Sequence, residues 1–301
     1  MTLDAVREPD WKRLVAFLRP ADAVELVARL TALHLLMHIV SYGGELLGPA
    51  GVVWSVAGIV FGRFCRRAGY WSAMTLILFA RVILDTDQLD NHFYLSMYWS
   101  GALCLCLSLP REKQAVALGE NARWLLGLCM LFAVIWKILS PDYLSGAFFH
   151  FFLVADNRFH DLAKLVAGLT QADLDHNLSV FTEIQQPLIG LHGYVVDLRL
   201  PPGLRPLAVL LTWWTIVIEA VIALVFLLPS TREVMKARHL LLLVFAFSTY
   251  LVAPVKGFGV TLMLMGFANC PAEWKCCRRA YVLAMAYIEI CGIGLLAYFT
   301  R

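Results

Sequence analysis

The stretch from 206 to 228, PLAVLLTWWTIVIEAVIALVFLL, carries a single ionisable side chain, Glu219. An apolar run of that length constrains the fold more than any other feature, because its backbone groups must be satisfied internally, as a helix satisfies them. Eight further apolar segments can be drawn, at about 22–41, 50–63, 70–84, 93–109, 123–140, 239–253, 258–269 and 280–299. The 301 residues are 60% hydrophobic and 16% charged, with mean hydropathy +0.71, which is more apolar than a soluble core requires. The expectation is an all-α polytopic membrane protein. It would form one membrane domain over 1–301, a bundle of about eight or nine transmembrane or re-entrant helices with an interfacial helical segment outside. A span needs roughly 20 residues. The segments 50–63, 70–84 and the pair flanking Pro254 and Gly257 therefore read as tilted, broken or re-entrant helices.

Orientation follows from the cations, since cytoplasmic loops retain Lys and Arg. With 1–21 as a cytoplasmic N-terminus, sixteen of the 25 fall inside, in clusters such as Arg63, Arg66 and Arg67 or Lys275, Arg278 and Arg279. Six fall outside, and only Arg29, Arg81 and Lys137 remain in or near membrane depth. Reading 239–269 as one span would move the 275–279 cluster outside, so two elements are preferred there. This places the chain in the cell membrane as a multi-pass protein. The N-terminal residues mix both charge signs and show no removable signal peptide. No feature points to nucleic acid. Eight cysteines lack metal-ligand spacing; those inside apolar runs read as packing residues, and Cys276 and Cys277, between Lys275 and Arg278, suggest a reducing cytoplasmic loop, with reversible acylation as the alternative.

The connection 141–205 is the only long one, and it faces the extracytoplasmic side. Its first part, GAFFHFFLVADNRFHDLAKLVAGLT, spaces apolar residues as a helix lying in the interface plane would. The following QADLDHNLSVFTEIQQPLIGLHGYVVDLRLPPG is polar, rich in turn residues and too small for an independent domain.

Lys137 lies near the outer end of its segment, four residues before Pro141. Either its stem carries the ammonium to the headgroups as an anchor, or desolvation turns the amine into a base. In DTDQLDNHFYL, Asp85, Asp87 and Asp90 crowd the outer end of a hairpin, and Arg81 is placed to pair with them. Asn91 and His92 open the next helix, where Asp90 or Asn91 could cap it and His92 could rest in the wet interface. Glu219 and Glu289 fall near mid-span, where a carboxylate needs a partner; Arg29 is a structural candidate for Glu219. Trp213 and Trp214 read as a membrane-interface belt.

Three of these stretches carry a family resemblance. LRPADAVELVARLTALHLLMHI resembles the Arg-Pro-x-Asp stretch that opens the transmembrane region of the vitamin K-dependent gamma-carboxylase-like family, which includes the HTTM (horizontally transferred transmembrane) proteins. LDNHFYL resembles that family's Asn-His-x-Tyr-Leu segment, and WKILSPDYLSG resembles its lysine followed by Asp-aromatic-x-x-Gly, here Asp142 to Gly146. The resemblance runs from about Leu18 to Cys270. It implies Lys137 as the base that deprotonates a reduced quinone of vitamin K or menaquinol type, and His92 as a supporting histidine. Asn91, Arg81, Asp142 and Glu219 would be supporting polar residues. It implies a carboxylase-like lyase or a quinol-linked enzyme acting on an exported peptide or a lipid at the outer leaflet.

Two other functions remain open on sequence. One is a non-enzymatic maturation or immunity factor that holds an exported peptide. The other is a transporter, suggested by the broken helices and the carboxylates Glu219 and Glu289. Membrane lipids are partners in every case.

Overall fold

The computed structural model describes residues 22–42, 48–84, 91–185, 197–252 and 255–291. Every regular element among them is helical. The helices are α1 (Ala23–Tyr42), α2 (Gly48–Val60), α3 (Gly62–Cys65), α4 (Ala68–Leu84), α5 (Asn91–Leu107), α6 (Arg111–Leu139), α7 (Pro141–Leu144), α8 (Ala147–Ala155), α9 (His160–Leu162), α10 (Gln171–Gln185), α11 (Leu204–Leu227), α12 (Arg232–Val252), α13 (Lys256–Asn269) and α14 (Lys275–Cys291). Three are long and apolar enough to cross a membrane: α1 over Ala23–Val40, α6 and α11. The short apolar segments are the shorter apolar helices α2 and α4, and 239–269 is two helices, α12 and α13. The N-terminal stretch 1–21 and the end of the last segment lie outside the described residues.

The chain divides into two compact units, residues 1–126 with 256–285, and residues 127–255 with 286–301. In unit 1, α1 packs on α2 and α13, α4 on α5, and α13 also on α5. Two tryptophans fill this core without stranding their indole N–H groups. Trp71 donates to the Cys65 carbonyl at 2.8 Å, and Trp99 donates to the Thr31 hydroxyl at 3.0 Å. Both rings are almost wholly buried, so each satisfied donor avoids the cost of an orphaned polar group.

In unit 2 the connection after α6 builds much of the core. Phe149, Leu153, Val154, Ala163, Ala167 and Leu174 bury against Leu204, Leu207 and Ala208 at the start of α11. The expected helical segment is present, divided into α8, a 3-10 turn (Asn157–Phe159), α9 and a π turn (Ala163–Ala167) that ends at Gly168. The first 15 residues of the polar stretch after it, read from sequence as turn-rich, form a helix, α10. The local reason is a cap: the Thr170 hydroxyl donates to Asp173 at 2.5 Å, while the Thr170 and Asp173 amides bond reciprocally to the two side chains. Leu174 and Asn177 are buried on one face of α10, and Asn177 bonds both ways to the Arg199 backbone, at 2.8 and 3.0 Å.

Candidate functional site

Lys137 lies in the last turn of α6, a 29-residue helix about 43 Å long. Its ammonium donates to Glu219 Oε2 on α11, forming an ion pair across 82 positions of sequence. The side chains are 17% and 9% exposed, so the pair is largely withdrawn from solvent. Glu219 is about 22 Å along α11 from Leu204, counting 1.5 Å per residue. The ammonium is therefore held deep alongside α11 and pairs there, rather than extending along its stem past the end of the apolar segment.

The turn after Lys137 completes the surroundings. Ser140 caps α7, its hydroxyl accepting from the Tyr143 amide at 3.3 Å, with Pro141 at the first helical position. Gly146 then takes φ +82°, a left-handed conformation, and starts α8 with Val209 of α11 close against it. These two devices bury Tyr143 so that its ring faces the Lys137 ammonium, 5.5 Å from the ring centre. The Tyr143 hydroxyl shares a 2.7 Å hydrogen bond with Thr215, which itself donates to the Thr212 carbonyl at 2.9 Å. Phe148 packs beside Tyr143 at 5.0 Å, and Cys129 and Tyr250 lie within electrostatic reach of Glu219. The result is one amine and one carboxylate in an apolar and aromatic setting. It can exchange a proton between its members, or with an acidic group brought against it.

The other sequence candidates are placed differently. The charged partner of Glu219 is Lys137, and Arg29 bonds instead to Glu25 one turn earlier on α1. The expected structural pairing of Glu219 with Arg29 is thus replaced by a pair that contains the candidate base. Asp142 is exposed on α7, where its carbonyl accepts from Ser145. Trp213 and Trp214 are both partly exposed on α11. Asn91 opens α5, but its side chain, like Asp85, Asp87 and Asp90, lies outside the described residues. The expected pairing of Arg81 with those carboxylates therefore also falls outside them; Arg81 is buried, with its guanidinium 5.0 Å from the Phe93 ring.

His92 belongs to unit 1, where its ring packs 5.2 Å from Phe258. Its carbonyl accepts from Ser96, and Ser96 meets the Thr261 hydroxyl at 3.4 Å. Thr261 donates to the Gly257 carbonyl at 2.8 Å and lies 3.0 Å from His34 Nε2. His34 and His38 stack at 5.8 Å, and His38 stacks on Phe93. Sequence reasoning missed this chain. Its signal was His34 and His38 one helical turn apart in an apolar run, with nothing to say that α13 would bring Thr261 to them. Tyr143, Thr215 and Cys129 were missed for the same reason, since each reads alone as ordinary packing.

No protein-family model matches the chain, and neither a curated protein nor a solved structure is significantly similar to it.

Proposed function

We propose that this is an integral membrane enzyme in which Lys137, working with Glu219, takes a proton from an acidic group presented inside the bilayer. The observation that carries the reading is the largely buried Lys137–Glu219 pair between two helices long enough to span. Ionisable residues at such depth are costly, so their presence favours a working role. A low dielectric narrows the gap between the ion pair and a neutral amine beside a carboxylic acid, because the neutral pair avoids two desolvated charges. Lys137 Nζ can pass its proton to Glu219 Oε2, and the freed amine then accepts one from the substrate. Tyr143, with its hydroxyl engaged by Thr215, supplies an aromatic wall.

A reduced quinone of vitamin K or menaquinol type fits this lining, a hydrogen-bonding pair beside the aromatic faces of Tyr143 and Phe148. Such a group would supply a dissociable hydroxyl and reducing equivalents. The resemblance to the gamma-carboxylase-like and HTTM family extends the proposal to an exported peptide or lipid as substrate, with His92, Asn91, Arg81 and Asp142 in supporting roles. In this reading the protein lies in the cell membrane with its N-terminus cytoplasmic and 141–205 outside. The shorter helices complete eight or nine spanning or re-entrant elements.

The test is quinol turnover in nanodiscs by wild type, Lys137→Arg and Glu219→Gln, with melting as the folding control. A guanidinium does not lose its proton in a protein, so Lys137→Arg should lower turnover roughly 10²- to 10⁴-fold. Unchanged turnover would leave Lys137 as a structural partner of Glu219 only. Reporter fusions should place residues 115 and 235 in the cytoplasm and residue 180 outside; a cytoplasmic 180 would sink the outer-leaflet assignment. A charge pair between two long helices also fits a proton-coupled transporter. Substrate flux without quinol turnover, abolished in Glu219→Gln, would favour that second reading.

A further inference from the structure

We propose that a groove in unit 1, between the start of α1 and α14, binds the headgroup of an anionic phospholipid. The groove has a volume of about 620 Å³, and its lining includes Lys275, Arg278, Arg279, Val282 and Leu283 of α14 and Leu26 of α1. Among the described residues none of the three cations forms an ion pair with a carboxylate. The one acidic residue in the lining, Asp22, is already engaged. It accepts from Arg66 at 3.0 Å and from the Glu25 amide at 2.9 Å, capping α1. Three positive charges therefore face the groove against a carboxylate whose charge Arg66 offsets.

Arg278 is held rather than free to sweep, its guanidinium lying 4.2 Å from the centre of the buried Phe267 ring. The order of residues along α14 distinguishes a lipid from a soluble anion. Cations occupy its first turns at 275–279, and apolar Val282 and Leu283 follow, 44% and 66% exposed. That sequence of charge and then exposed aliphatic surface matches a phosphate followed by its acyl chains. Basic clusters at the membrane-proximal end of a helix bind anionic headgroups in this way, and the amide end of α14 adds to the favourable field.

The experiment uses the full chain in nanodiscs of phosphatidylcholine containing phosphatidylglycerol as the probe. Retained lipid is read by native mass spectrometry and by melting. Wild type should retain phosphatidylglycerol in preference to phosphatidylcholine, and Lys275→Gln combined with Arg279→Gln should weaken that binding roughly 30-fold. Val282→Ser should weaken phosphatidylglycerol binding while leaving any binding of inorganic phosphate unchanged. Arg111→Gln, a charge removed from an exposed position outside the groove, should change neither. Lys275→Arg with Arg279→Lys keeps the charges and should retain the lipid, which separates charge loss from misfolding if the glutamine variant melts early. Equal phosphatidylglycerol affinity in wild type and the glutamine variant, no preference over phosphatidylcholine, or full displacement by inorganic phosphate would each overturn the proposal.

Discussion

In unit 2 a buried polar cluster joins two groups of opposite charge, Lys137 and Glu219, from helices far apart in sequence, while in unit 1, beside the local Arg29–Glu25 pair of α1, the cluster that links separate helices is a chain of imidazole and hydroxyl groups through His34, Thr261 and Ser96. The two arrangements solve one problem, polar side chains inside apolar helices, at different energetic stakes. A charge that loses its partner keeps its full desolvation penalty. A hydroxyl that loses one hydrogen bond forfeits far less. The charged centre is therefore the more sensitive to change, and the histidine chain the more forgiving.

The largest effect expected is from Lys137→Met, which leaves Glu219 buried and unpaired and should cost about 3–5 kcal/mol of stability. Adding Glu219→Leu should restore most of the loss in a denaturation experiment, because no charge then remains. Glu219→Gln should be better tolerated than Glu219→Leu alone, and equal expression and melting of those two would dissolve the contrast between the units.

A smaller loss is expected in unit 1. Thr261→Val removes the bond to His34 and the bond to the Gly257 carbonyl, for about 1–3 kcal/mol. A cost matching that of Lys137→Met would show that the histidine chain is as critical as the ion pair. Next comes Gly146→Ala, which forces a Cβ into the left-handed region beside Val209, for about 1–2 kcal/mol. It should also disturb Tyr143, which a change in tyrosine fluorescence would report.

The smallest effect concerns pH and lies outside both centres. Hydrogen bonds from the Thr170 hydroxyl and amide hold the Asp173 carboxyl below its ordinary value of 3.8. A depressed carboxyl contributes its support above that ordinary value and loses it as pH falls through the folded value. Amide exchange in α10 should therefore rise only below about pH 4, and Asp173→Asn should flatten the response. A rise near neutral pH would assign the transition to another group.

Much of the helical layout was legible beforehand. The segments 123–140 and 206–228 lie within or nearly coincide with α6 and α11, because long apolar runs admit few other structures. The capping pair Thr170 and Asp173 was also written in the sequence, yet the polar composition of 171–185 obscured the helix it starts. Lys137 and Glu219 each stood out as a charge in an apolar run. Their partnership did not, since Arg29 and Lys137 were both cations near membrane depth and composition offers no way to choose between them.

The apolar periodicity and the distribution of charge were enough to establish a helical chain with membrane-length segments and to single out Lys137, Glu219 and His92, because burial and charge cost are properties of individual residues and short windows. Tertiary structure alone decided which charge meets which. It seated Lys137 against Glu219 and Tyr143, returned Arg29 to Glu25, and brought Thr261 to His34 across 227 positions. Such contacts depend on the packing of one helix on another, and no local preference of the chain encodes the partner.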